Sequence, residues 1–123
     1  MATITEDYVS FETAKLLKDK GFDEYTFSDY SEEGVIGFNE VETRIAKGYQ
    51  RPTLQMAMKW LRKEHNLCIV PLPIVTDDDG EGGCLWKYTI SMKLKVLFDS
   101  ENLYESPEIA LDDAIKYCLE NLI

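Results

Sequence analysis

Leu67-Cys68-Ile69-Val70, Trp86-Lys87-Tyr88-Thr89-Ile90 and Leu94-Lys95-Val96-Leu97-Phe98 are three strand-like runs in succession. In the second, Trp86, Tyr88 and Ile90 alternate with Lys87 and Thr89. In the third, Leu94, Val96 and Phe98 alternate with Lys95 and Leu97. No helical period lies between them, so they are expected to pair antiparallel through short turns. Pro71 and Pro73 follow the first run and are expected to confine it to a sheet edge or to break it, because proline gives a ladder no N–H. Asp77 to Gly83 reads as a loop with Asp79-Gly80 as its turn, and Asp99-Ser100-Glu101-Asn102 reads as the next turn.

Helices flank these strands. Pro52-Thr53 starts one, with Thr53 capping the first free amides. Leu54, Ala57, Met58, Leu61 and His65 fall on one stripe of it, Met56 and Trp60 widen the apolar face, and Asn66 is a left-handed stop. The last helix starts at Ser106 as N-cap with Pro107 at N1. Leu111, Ala114, Ile115, Cys118 and Leu122 share its core stripe, and Asp112, Asp113, Lys116 and Glu120 face the other way, with Asp112 and Lys116 as an i,i+4 pair. A first helix spans about residues 11–20. Ser10 caps it, and Gly21 is its left-handed C′ residue, with Phe22 meeting Leu17 in a Schellman ending.

Residues 24–42 read as a hairpin. Tyr25 and Phe27 alternate with Thr26 and Ser28, Ser31-Glu32-Glu33-Gly34 turns, and Val35, Ile36 and Phe38 return. Residues 43–51 show no period and read as a connector. The order is α-β-β-α-β-β-β-α over a chain of 123 residues, one α+β domain with a mostly antiparallel sheet packed by helices.

Charge is laid out in blocks. Residues 1–42 carry a net −8, residues 43–76 a net +5 and residues 77–123 a net −7, for −10 in all. The acidity argues against a general nucleic-acid or anionic-membrane binder, since phosphate contacts need Lys and Arg. No acid lies between Thr43 and Lys63. Arg44, Lys47, Arg51, Lys59, Arg62 and Lys63 therefore form a candidate basic strip, with Trp60 as its aromatic. Tyr30, Phe38 and Tyr49 are the aromatics most suited to an exposed contact patch.

Catalytic and cofactor patterns are weak. His65 is the single histidine. With Cys68 it makes His-x-x-Cys, half a zinc site at best, and it leaves no Ser-His-Asp or Cys-His set. The acidic Asp77-Asp78-Asp79-Gly80 run misses the EF-hand register, and Gly80, Gly82 and Gly83 lack the Gly-Lys-Ser/Thr of a phosphate loop. No cofactor is expected. Cys68, Cys84 and Cys118 have no CxxC spacing and read as buried free thiols in a reducing cytoplasm. The N-terminal Met1 to Asp7 lacks the basic and apolar regions of a signal peptide, and no run approaches the ~20 apolar residues that span a bilayer.

Three segments carry a resemblance: Thr5 to Lys18, Arg51 to His65 and Ala114 to Ile123, about a third of the chain. Together they resemble a family of short uncharacterised proteins from gut anaerobic bacteria and their phages and other mobile elements. The resemblance implies a genomic neighbourhood and assigns no activity, cofactor or catalytic residue. Residues 52–122 also follow the helix, three strands, helix order of a double-stranded-RNA-binding domain. The start of the last helix, Ser106 to Asp113, has the wrong sign for phosphate, so the likeness is one of order only.

The expectation is a small cytoplasmic accessory protein of phage or mobile-element origin that binds another protein or itself. Its contact residues are expected to be Lys59, Trp60, Arg62 and Lys63, with Arg44, Lys47 and Arg51 before them. The alternative is a nucleic-acid-related module, either an RNA binder using residues 43–63 or an acidic mimic of DNA. An enzyme with dispersed carboxylates is the least favoured class.

Overall fold

The computed structural model describes residues 7–38, 48–75 and 84–123. Helix α1 spans Phe11–Asp19, and the Ser10 side chain accepts from the Thr13 amide. It ends as its sequence requires. The Phe22 N–H donates to the Leu17 carbonyl at 2.8 Å, and Gly21 takes φ +97. A side chain rarely adopts that angle, so glycine closes the Schellman turn at little conformational cost.

Strand β1 (Ser28–Tyr30) turns through residues 31–35 into β2 (Ile36–Phe38). Ser31 holds the turn. Its Oγ accepts from the amides of Glu33 and Val35, and its N–H donates to the Val35 carbonyl. Strand β3 (Tyr49–Gln50) then pairs antiparallel with the other side of β1. These three make one sheet, in the order β2-β1-β3.

Helix α2 (Leu54–His65) begins at Thr53, whose side chain accepts from the Met56 amide, and stops at Asn66 with φ 57. Beyond it come β4 (Cys68–Val75), β5 (Cys84–Met92) and β6 (Lys95–Asp99), an antiparallel sheet in sequence order. Helix α3 (Pro107–Tyr117) follows, capped by Ser106, and runs into a π-helical turn, Cys118–Leu122. Tyr88 and Ile90 are buried beneath α3, and the Phe98 ring stacks on Tyr117 with centroids 3.8 Å apart.

The prolines of β4 interrupt nothing. Pro71 lies opposite Tyr88 and Pro73 opposite Trp86. The backbone groups of Tyr88 and Trp86 bond to the other side, to Ser100 and Tyr104. Alternation along an antiparallel ladder then turns the N atoms of Pro71 and Pro73 toward the open edge, where no donor is missed. The strand therefore continues for eight residues, and the edge placement expected from the prolines is the one observed.

The class is α+β with antiparallel pairing. Three expectations need correction. Sheet structure is divided between two three-stranded sheets, because β1 recruits β3 from the expected connector before α2 begins. The hairpin's first strand has its faces exchanged: Thr26 and Ser28 are buried and Phe27 is exposed. The polar pair turns inward because partners wait there. The Thr26 hydroxyl donates to the Ser28 carbonyl at 2.6 Å and accepts from the Arg51 amide. Finally, Asp112 and Lys116 do not pair with each other. Asp112 accepts from the Ser10 amide at 2.9 Å and Lys116 pairs with Glu12 at 2.9 Å, so both tie α3 to α1. One core cluster, including Val9, Leu17, Tyr30, Leu61, Ile90 and Ile115, joins both sheets to the helices.

Candidate functional site

Helix α2 is anchored by its inner face. Leu54, Ala57, Met58 and Leu61 are buried, and the chain before it is held by the Val9 N–H donating to the Pro52 carbonyl at 3.1 Å. Trp60 sits at the margin of that face with 9% of its surface exposed. Its ring meets Phe22 and His65 edge-on, at 5.5 and 4.9 Å between centroids. Trp60 and His65 thus belong mainly to the packing, and only a strip of the indole reaches the surface.

Lys59 and Lys63 lie on one side of that strip, one helical turn apart. With Met56, Trp60, Glu24 and Glu64 they line a groove of about 250 Å3. Arg62 is exposed on the same helix outside this lining. At about 100° per residue, Arg62, Lys59 and Lys63 fall within an arc of about 100°. The outer side of α2 is therefore basic, with an apolar floor of Met56 and Trp60 and acids on its rim. Such an arrangement can hold an acidic side chain beside an apolar one.

Within the strip expected over residues 43–63, Arg51 does not join Lys59, Arg62 and Lys63 on the outer side of α2. Arg51 is turned into the structure, its guanidinium 4.0 Å from the Tyr8 ring centroid and 5.5 Å from that of Tyr30. Its Nη1 donates to Ser28 Oγ at 3.1 Å, while its Nε is buried without a hydrogen-bond partner. Arg51 is thus engaged with the N-terminal segment and β1. Arg44 and Lys47 lie outside the described residues, as does the acidic loop at 77–79. Of the expected aromatic patch, Phe38 is exposed, Tyr30 is buried and Tyr49 is half-buried.

Several polar groups elsewhere are paired within the fold. A larger groove of about 780 Å3 between α1 and α3 contains Lys18, Tyr49, Glu12 and Lys116. Lys18 donates to the Gly48 carbonyl at 2.8 Å and lies over Tyr49. The hydrogen bond and charge of Lys116 hold the Glu12 carboxyl below its usual range, and Glu12 raises Lys116 in turn. The Tyr104 hydroxyl donates to Asp113 Oδ2 and clamps the segment after β6 to α3. Burial first, then Tyr104 and Asp113, pushes the Tyr88 hydroxyl up; burial and the Asp113 bond do the same to Tyr104. Both stay neutral at physiological pH.

The thiols differ from one another. Cys118 is buried and its pKa is pushed up to about 12 by burial, whereas Cys68 is half-buried and Cys84 is exposed. The expectation of three buried thiols therefore holds for Cys118, holds in part for Cys68 and fails for Cys84, the first residue of β5, which is exposed. Among the described residues no group of three or more His, Cys, Asp or Glu side chains could hold a metal ion. No helix of the described residues is long and apolar enough to cross a membrane. Glu24, Met56 and Glu64 were not expected at the site. Only Met56 had a signal, as a widening of the apolar face of α2.

Comparison with protein-family models, curated proteins and solved structures gives no match to this chain.

Proposed function

We propose that this chain is an accessory protein of a phage or mobile element, and that it acts by binding an acidic partner protein through the outer side of α2. One observation carries the reading: Lys59 and Lys63 line a single groove together with Trp60. Interfaces commonly centre on an aromatic anchor with charge around it. The resemblance of the segments at 5–18, 51–65 and 114–123 supplies the genomic setting. The acidity of the body, −10 overall, disfavours a nucleic-acid partner for so small a basic patch.

Exposed charges at an interface act mainly on association rate and are screened over about 8 Å at physiological salt. The double variant Lys59→Glu, Lys63→Glu is expected to weaken partner binding about tenfold, or ~1.4 kcal/mol, and to melt like wild type. Affinity at low salt equal to that of wild type would contradict the proposal.

A further inference from the structure

The β1–β2 hairpin presents a second surface, on elements separate from the α2 groove. Phe27, Val35, Ile36 and Phe38 are exposed by 67%, 66%, 46% and 69%. The antiparallel register puts Ile36 and Phe38 together on one face of the hairpin, the face of Ser28 and Tyr30, and alternation puts Phe27 and Val35 on the other, with Asp29 and Gly37. The backbone beside them is also open. Strand β2 pairs with β1 on one side and, among the described residues, with no strand on the other.

The register decides which backbone groups face that open side. Ser31 bonds to Val35 across the turn, and Asp29 lies opposite Gly37 two residues further along. Hydrogen-bonded pairs alternate with non-bonded ones, so Gly37 faces β1. The N–H and C=O groups of Ile36 and Phe38 therefore point outward.

Sheet edges in proteins are usually blocked against unwanted pairing by proline, bulges or charge. This chain uses those devices elsewhere. The open edge of β4 is blocked by Pro71 and Pro73. Strand β6 carries Lys95, Asp99 and a register shift opposite Ile90 and Ser91. Strand β2, Ile36-Gly37-Phe38, carries none of them.

Charge selects the occupant. No Lys or Arg occurs between Lys20 and Arg44, while Asp29, Glu32 and Glu33 lie on or beside the hairpin. A second copy of this chain would set those acids against their own duplicates. A basic, apolar strand would meet opposite charge and apolar surface together.

We propose that β2 is a strand-addition site for an extended segment of a partner protein in which apolar residues alternate with Lys or Arg. Main-chain bonds to Ile36 and Phe38 hold the segment in register. On one face its apolar side chains cover Ile36 and Phe38, and on the other its basic side chains pass over Gly37 toward Asp29, whose carboxylate lies against that glycine, with Glu32 and Glu33 beside the turn.

The test uses the full chain and two fluorescein-labelled nine-residue peptides, one alternating Lys with Val and the other alternating Glu with Val. Binding is read by fluorescence anisotropy at low salt. Phe38→Pro removes one outward N–H and one ring, and Ile36→Ser removes an exposed apolar side chain from the same face and leaves the backbone intact. The Lys-Val peptide is expected to bind wild type, to lose affinity about tenfold with either variant, and to bind Lys59→Glu, Lys63→Glu like wild type. Absence of Lys-Val binding, equal binding of the Glu-Val peptide, or affinity unchanged by Ile36→Ser would overturn the proposal. So would a dimer in sedimentation that Phe38→Pro abolishes, which would give the edge to a second copy.

Discussion

The guanidinium carbon of Arg51 lies over the Tyr8 ring, 4.0 Å from its centroid. Tyr8 also bridges to Thr53, the residue that caps α2. Arg51 therefore fastens the N-terminal segment to β1 and to the start of α2, and its charge serves the fold. Removing it discards a cation–π contact and the bond to Ser28 Oγ. Arg51→Ala should destabilise the protein by about 1–3 kcal/mol, read by urea denaturation. Lys59→Glu with Lys63→Glu should stay within about 0.5 kcal/mol of wild type, as exposed substitutions do. An Arg51→Ala protein as stable as wild type would return Arg51 to the surface strip.

Gly48 makes the sharpest backbone prediction. A Cβ built there would come within 2.5 Å of the Tyr30 carbonyl oxygen, and its φ is +99. Backbone atoms cannot yield as a side-chain tip can. Gly48→Ala should therefore cost about 2 kcal/mol or more and loosen the β1–β3 pairing. Gly21→Ala carries the strained φ without a clash, and should cost about 1 kcal/mol. Denaturant midpoints in the opposite order would contradict the packing described around Tyr30.

Much of this fold was legible because its local signals agreed. Ser10, Thr53 and Ser106 each cap the helix that their sequence marks, and Gly21 and Asn66 end helices as their types suggest. Alternation found β5 and β6. It failed at Thr26 and Phe27, since alternation gives a strand's period but not which parity faces inward. Long-range partners settle that choice: the Thr26 N–H donates to Gln50 Oε1 at 3.3 Å, and the Arg51 N–H donates to the Thr26 hydroxyl. The second strand of the β1–β3 pair is two residues long, too short for any period. At the site, helical spacing correctly set Lys59 beside Lys63. It could not show that Arg51 leaves the basic strip, because the stacking on Tyr8 joins residues 43 apart in sequence.

The three thiols should separate by accessibility. At pH 8 a disulfide reagent such as DTNB should modify Cys84 rapidly, Cys68 slowly and Cys118 only on denaturant unfolding. Prompt modification of all three in the folded protein would contradict the cover given to Cys118 by the helices.

Cys118 also fixes the sign of an alkaline transition. Its pKa is raised from 9.0 to about 12 by burial. The stabilisation linked to it is complete below pH 9 and is lost as pH rises through about 12. Tyr88, raised from 10.0 by burial, acts in the same direction. Thermal midpoints should therefore fall steadily above pH 9, and Cys118→Ala should flatten the slope without abolishing it. Midpoints independent of pH from 9 to 12 would contradict this.

The central claim is that the outer side of α2 binds an acidic protein. It is tested most directly by parallel affinity capture from a host-cell lysate with wild type and with Lys59→Glu, Lys63→Glu, each eluate being analysed for both protein and nucleic acid. The account predicts one stoichiometric protein that wild type retains, that high salt releases and that the variant fails to hold. RNA or DNA enriched without a protein partner, or the same protein held equally by both baits, would contradict it.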